Sequence, residues 1–138
     1  MHNVRATLIG LGATFALIVM FEAIGGQIWH FTAGVNMNDK QALRVALAAA
    51  PIAAMIYLVA SYGVAGFTGS FLARKMAGGV NTRPSRIVAI GLLLACAFNT
   101  ANIPEPMWVS VASVLIPLPA AWLGMLLAAP VIPAAHTV

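Results

Sequence analysis

The chain has 138 residues, of which 62% are hydrophobic and only 7% are charged, and its formal net charge is +4. A soluble domain carries roughly 25% charged residues, so this composition excludes a soluble globular protein and indicates a chain solvated by lipid. The positive charge does not indicate nucleic-acid binding, because most basic residues lie in one loop, as the positive-inside rule predicts for a cytoplasmic loop. Those loop residues are Arg74, Lys75, Arg83 and Arg86.

Four apolar segments predict one domain, residues 1–138, with the fold class of an all-α integral membrane four-helix bundle. The second segment is longer than a span requires, so its first turns should tilt or protrude. The first segment has an alternative interpretation as a secretory signal cleaved near Ala23-Ile24-Gly25, which would leave three spans. The predicted spans cover about residues 6–29, 46–73, 87–103 and 107–129.

Two local signals predict how the helices begin and bend. The pattern Asn38-x-x-Gln41 can cap the second helix, with each side chain bonding the other residue's backbone N–H. Pro117 lies near the centre of the fourth span and should bend it, because the carbonyl of Ser113 loses its helical donor.

The distribution of lysine and arginine predicts the orientation. Arg5 and the four basic residues of the second loop lie on one side of the membrane, and Lys40 and Arg44 lie on the other. Five basic residues against two predict an inner-membrane protein with both termini in the cytoplasm.

Glu22 is the only acidic residue within a predicted span, and an ionisable group in a membrane is a functional-site hypothesis by default. At roughly 1.5 Å per helical residue, counting from the basic anchors places Tyr57 and Asn102 at the depth of Glu22, with Asn99 about one turn deeper. These four side chains are predicted to turn inward as one polar cluster near the outer end of the bundle. The alternative interpretation is that they only bond helices together.

Small residues recur every fourth position along the second helix, a pattern that lets another helix backbone approach closely. Gly12-x-x-x-Ala16 on the first helix is the predicted partner. This packing surface can lie inside the bundle or between two copies of the chain. The residues on the second helix are Ser61, Ala65, Gly69 and Ala73.

The sequence does not indicate an enzyme. It has no Gly-rich phosphate loop, HExxH or GxSxG motif, and one carboxylate within the spans is too few for acid–base catalysis. His2, His30 and His136 lack metal-ligand spacing, so no metal site and no cofactor is predicted. The expected partners are the lipid bilayer and either other membrane-protein subunits or a second copy of the chain.

Three stretches together resemble an uncharacterised family of small four-span bacterial membrane proteins with no assigned activity. Glu105 stands where the pattern of that family usually has a histidine. The resemblance covers most of the chain and implies a four-span fold in a bacterial membrane, without implying a function. The stretches are Phe21-Glu22-Ala23-Ile24-Gly25, residues 63–69 with Ala73-Arg74, and Asn102-Ile103-Pro104-Glu105-Pro106-Met107-Trp108.

Two hypotheses for the function follow. The first is a non-enzymatic accessory or structural subunit of a membrane complex. The alternative is a proton-linked small-molecule transporter that uses Glu22. In this one residue and in helix number, the chain is similar to small multidrug-resistance exporters, which exchange protons for a cationic drug. A subunit is expected to tolerate Glu22→Gln, whereas such a transporter is not.

Overall fold

The computed structural model describes residues 2–30 and 33–130, and the regular structure within these ranges is entirely helical. Four stretches are long and apolar enough to cross a membrane, namely α1, α3, α4 and the pair α5–α6. The predicted all-α four-helix bundle is therefore confirmed, and the chain is a multi-pass membrane protein. In chain order the helices are α1 (His2–Trp29), α2 (Lys40–Ala48), α3 (Ile52–Met76), α4 (Arg83–Asn102), α5 (Met107–Leu115) and α6 (Pro117–Leu127).

Helix α3 lies at the centre of the bundle and contacts α1, α4, α5 and α6. The small residues of α3 predicted for packing, Ser61, Ala65, Gly69 and Ala73, are all buried. A Cβ atom on Gly69 would lie 2.8 Å from the carbonyl oxygen of Gly10 on α1, so the two backbones are almost in contact at this point.

The partner predicted on α1 was wrong. Gly12 and Ala16 are both exposed, and a Cβ atom on Gly12 would meet nothing within 4 Å. The buried residues of α1 are instead Ala6, Gly10 and Thr14. The two sets share the same four-residue spacing, so spacing alone could not choose between faces that lie about 160° apart, given roughly 100° of rotation per residue.

The second span is shorter than predicted, because residues 46–51 belong to the end of α2 and the turn after it. Pro51 starts the next helix and cannot continue the previous one, since it has no N–H to donate.

The predicted cap of α2 was wrong by one residue. The Asp39 carboxylate, not Asn38, accepts from the backbone N–H groups of Gln41 and Ala42, at 2.9 and 3.1 Å.

Helix α2 is amphipathic and lies against the bundle. Leu43 and Leu47 are buried and pack with Met55 and Val59 of α3 and with Val109 of α5.

At Pro117 the fourth span divides into α5 and α6, although Ile116 between them keeps helical dihedral angles (φ −71°, ψ −40°). The division occurs where the missing proline N–H was predicted to disturb the helix.

Five of the seven basic residues lie at one end of the bundle, and the three acidic residues lie at the other end with Lys40 and Arg44, because consecutive spanning helices run in opposite directions. We call the end that carries the N-terminus of α1 and the C-terminus of α3 the basic end. There, Arg74 joins α3 to α6 by donating to the carbonyl oxygens of Gly79 and Met125, at 2.5 and 2.7 Å. The opposite end, with Glu22, Asp39 and Glu105, is the acidic end.

Candidate functional site

Three side chains from three helices form a hydrogen-bonded chain towards the acidic end. The Tyr62 hydroxyl on α3 donates to Glu22 Oε1 on α1, at 3.2 Å. The Asn99 amide on α4 donates to the same hydroxyl oxygen, also at 3.2 Å. A hydroxyl can donate one bond and accept another, so Tyr62 links the carboxylate to the amide through a single oxygen atom.

Tyr57 and Asn102 lie near this chain but direct their polar atoms to the backbone. The Tyr57 hydroxyl donates to the carbonyl oxygen of Phe21 at 3.1 Å, and Asn102 donates to that of Phe98 at 2.8 Å. Gly25 allows Tyr57 to approach α1, because a Cβ atom on Gly25 would lie 3.1 Å from the tyrosine ring.

A cavity of about 560 Å³ lies at the acidic end, and all four predicted residues, Glu22, Tyr57, Asn99 and Asn102, line it. Its wall also includes Tyr62, Glu105 and Trp29, whose indole ring packs 5.1 Å from the Tyr57 ring centre. Much of the remaining wall is apolar, with Leu43, Leu47, Ala54, Met55, Leu58 and Ile103. A concave, mainly apolar space with a few polar groups is the usual form of a small-molecule site.

Glu105 is the second carboxylate of this cavity and was not predicted as a site residue. It lies in the short loop between α4 and α5, where its Oε2 atom is buried without a hydrogen-bond partner. Burial raises the pKa of this carboxyl above its usual value, and the nearby charge of Glu22 raises it further. Glu105 therefore favours a proton or a cation beside it.

Tyr62 was also missed, although the depth argument could have found it. It lies 12 residues before Arg74, and Asn99 lies 13 residues after Arg86. These almost equal separations place the two side chains at one height. Tyr57 was predicted instead, because its separation from Arg74 equals that of Glu22 from Arg5. This separation places both residues about one turn further from the basic end than Tyr62.

A second, smaller cleft of about 250 Å³ meets the cavity at Glu22, Tyr62 and Asn99, which line both spaces. The cleft lies mainly between α1 and α4. Phe15 and Phe98 on its wall are 42% and 71% exposed, on surfaces that face lipid in a bilayer. The other residues of this lipid-side cleft are Ile18, Leu92, Ala95 and Cys96.

Within the described residues, no three histidine, cysteine, aspartate or glutamate side chains come together as metal ligands. Comparison of the chain with models of protein families, with curated proteins and with solved structures finds no match.

Proposed function

We propose that this protein is a proton-linked transporter of a small molecule, with the ligand bound in the cavity at the acidic end and the proton carried by Glu22. The observation that carries the proposal is the position of Glu22 on the shared wall of a cavity and a cleft, where Tyr62 holds its carboxylate. A side chain whose only role was to hydrogen-bond two helices together would not have to line a cavity and a cleft.

The physical basis is the cost of charge in a membrane. A carboxyl group in a low dielectric is stable either when it is protonated or when a cation or donor lies beside it. Glu22 can satisfy this requirement alternately with a proton and with a ligand, so binding of one favours release of the other. Tyr62, which accepts a hydrogen bond from Asn99, holds the carboxyl group in one position in both cases.

We propose the inner membrane as the location, with both termini in the cytoplasm. The basic end holds Arg5, Arg74, Lys75, Arg83 and Arg86, as expected for a cytoplasmic face. In a Cys96→Ala background, a single cysteine at Val80 in the basic loop should resist impermeant reagents outside intact cells. A cysteine at Val35 should react, and the opposite pattern would reverse the orientation.

Proton flux in liposomes tests the transport proposal. Purified protein is reconstituted with an entrapped pH-sensitive dye, and ethidium, an organic cation, or anilinonaphthalenesulfonate, an organic anion, is added outside. At least one probe should drive proton movement with the native protein and not with Glu22→Gln. The proposal is wrong if neither probe gives more flux than protein-free liposomes, or if Glu22→Gln gives equal flux.

A second candidate is the accessory or structural subunit. One observation favours it: the Glu22 side chain is largely exposed, and the last buried residue of α1 is Thr14, so much of the outer half of that helix has a free side. A helix of another membrane protein could cover it. Native purification separates the candidates, because a subunit should co-purify with a stoichiometric partner in the native protein and in Glu22→Gln alike.

A further inference from the structure

We infer that the ligand is a single-chain amphiphile with an amino headgroup, and that it reaches Glu22 from the bilayer through the lipid-side cleft. The inference rests on the proposed function and gives it a ligand class and a route. Two features carry it: the two carboxylates that line the cavity, and the three residues, Glu22, Tyr62 and Asn99, that line both the cavity and the cleft.

The headgroup follows from the polar atoms of the cavity. Glu22 and Glu105 line the same space, and the Tyr62 hydroxyl donates to Glu22 alone. An ammonium group brings three donors and one positive charge, so it can bond a carboxylate of the cavity and offset two like charges. An anionic headgroup would add a third negative charge to the same space.

Lys40 is the basic residue that lines this cavity, and its effect on the ligand must be included. It lies in the first turn of α2 and is exposed, so its amine remains solvated while it reduces the negative potential. Lys40 should therefore weaken the binding of an amine without occupying the position of the amine in the cavity. Lys40→Gln is expected to increase the affinity for a cationic headgroup.

The hydrocarbon chain follows from the cleft. Apart from its three shared polar residues, the cleft is lined by apolar side chains of α1 and α4, and Phe98 at its wall is 71% exposed. A chain lying there stays in a hydrocarbon environment while its headgroup meets Glu22. Because the amphiphile concentrates in the bilayer, the site can fill from the lipid phase without passage through water.

A pair of matched variants tests the route. Ala95 lines the cleft, whereas Ala97, two residues along the same helix, is exposed and lines neither space. Ala95→Phe should narrow the cleft, and Ala97→Phe adds the same side chain to the surface of α4 away from both spaces. Both variants should leave partitioning of the amphiphile into the bilayer unchanged, so a difference between them reports the cleft itself.

Binding is measured in lipid nanodiscs through the fluorescence of Trp29, with Trp108→Phe and Trp122→Phe removing the two exposed tryptophans. The probes are dodecylamine and dodecyl sulfate, which share a tail and have opposite charges, and concentrations are expressed per lipid. Dodecylamine should bind saturably, Ala95→Phe should weaken it about tenfold or more, and Ala97→Phe should leave it unchanged. Lys40→Gln should strengthen it.

Each part of the inference can fail separately. Equal binding of dodecyl sulfate would overturn the amino headgroup. Equal binding to Ala95→Phe and Ala97→Phe would overturn entry through the cleft. Either result leaves the proposed function standing if Glu22-dependent proton flux is present. Absence of that flux would instead refute the transport proposal, even where dodecylamine binds.

Discussion

The Tyr62 hydroxyl and the Glu22 carboxylate lie 3.2 Å apart, and this contact joins the most buried spanning helix to the most exposed one. Tyr62 is only 3% exposed and is packed with Leu92 and Cys96 of α4. Glu22 belongs to a helix stretch with few buried neighbours. The carboxylate is thus positioned by a fixed residue of the core while remaining open to the two spaces beside it.

Replacement of Tyr62 by phenylalanine should impair function more than stability. It removes the donor to Glu22 and the acceptor for Asn99, at a cost to folding of about 1–2 kcal/mol. Tyr57→Phe is the matched control, because it removes a hydroxyl that bonds only the carbonyl of Phe21. Unfolding in detergent should show similar losses for both variants, whereas probe-driven proton flux should fall in Tyr62→Phe alone. Equal flux in the two variants would remove Tyr62 from the mechanism.

The contact between α1 and α3 should tolerate no added methyl group at Gly69. Its Cβ atom would meet the Thr14 side chain and the carbonyl oxygen of Gly10, so Gly69→Ala should destabilise the protein by about 1–3 kcal/mol. Gly12→Ala, on the exposed side of α1, should be neutral or stabilise by up to about 1 kcal/mol. Thermal unfolding in detergent measures both. If the Gly69→Ala protein is as stable as the Gly12→Ala protein, then the backbones of α1 and α3 are further apart at Gly69 than the structure shows.

Glu105 should lower the stability of the protein as pH rises. Its pKa is raised in the folded state, so the folded protein binds this proton more tightly than the unfolded chain. Its stabilising contribution is complete below the unfolded value of 4.5 and is lost as pH rises through the folded pKa. Glu105→Gln should therefore gain stability relative to the native protein at neutral pH and not at low pH.

The pKa of Glu105 can be read directly, because Glu22 and Glu105 are the two glutamates of the chain. With carbon-13 in the glutamate carboxyls, the Glu22→Gln protein gives one signal, which assigns the spectrum. That signal should titrate at lower pH in Glu22→Gln than in the native protein. The charge of Glu22, which raises the pKa of Glu105, is gone in this variant, while the burial of Glu105 remains. If the pKa of Glu105 is the same in both proteins, the two carboxylates are too far apart to interact.

The spanning helices could be predicted from the sequence because their apolar runs match the thickness of a bilayer. Counting residues from the basic anchors predicts a depth for each residue of the polar cluster, and all four of these residues line the cavity. Four-residue spacing does not determine direction around a helix axis, which is why the face of α1 with Gly12 was chosen over the face with Gly10.

Glu105 could not be assigned to the site from the sequence for a different reason. Its place beside Glu22 depends on the path of the loop after α4 and on the packing of α2 against α3 and α5. Both are tertiary arrangements that leave no periodic signal. Pro51 did carry a local signal, since a proline within an apolar run commonly starts a new helix.

The proposed transport requires that Glu22 exchanges a proton within the membrane, and carbodiimide labelling tests this exchange most directly. A lipid-soluble carbodiimide reacts with protonated carboxyls, and peptide mass spectrometry identifies the modified residue in native membranes. Glu22 should be labelled, and labelling should fall sharply when a transported probe is bound. If Glu22 remains unlabelled at every pH, or if no probe that drives proton flux reduces its labelling, then Glu22 is not the residue that exchanges a proton for the ligand.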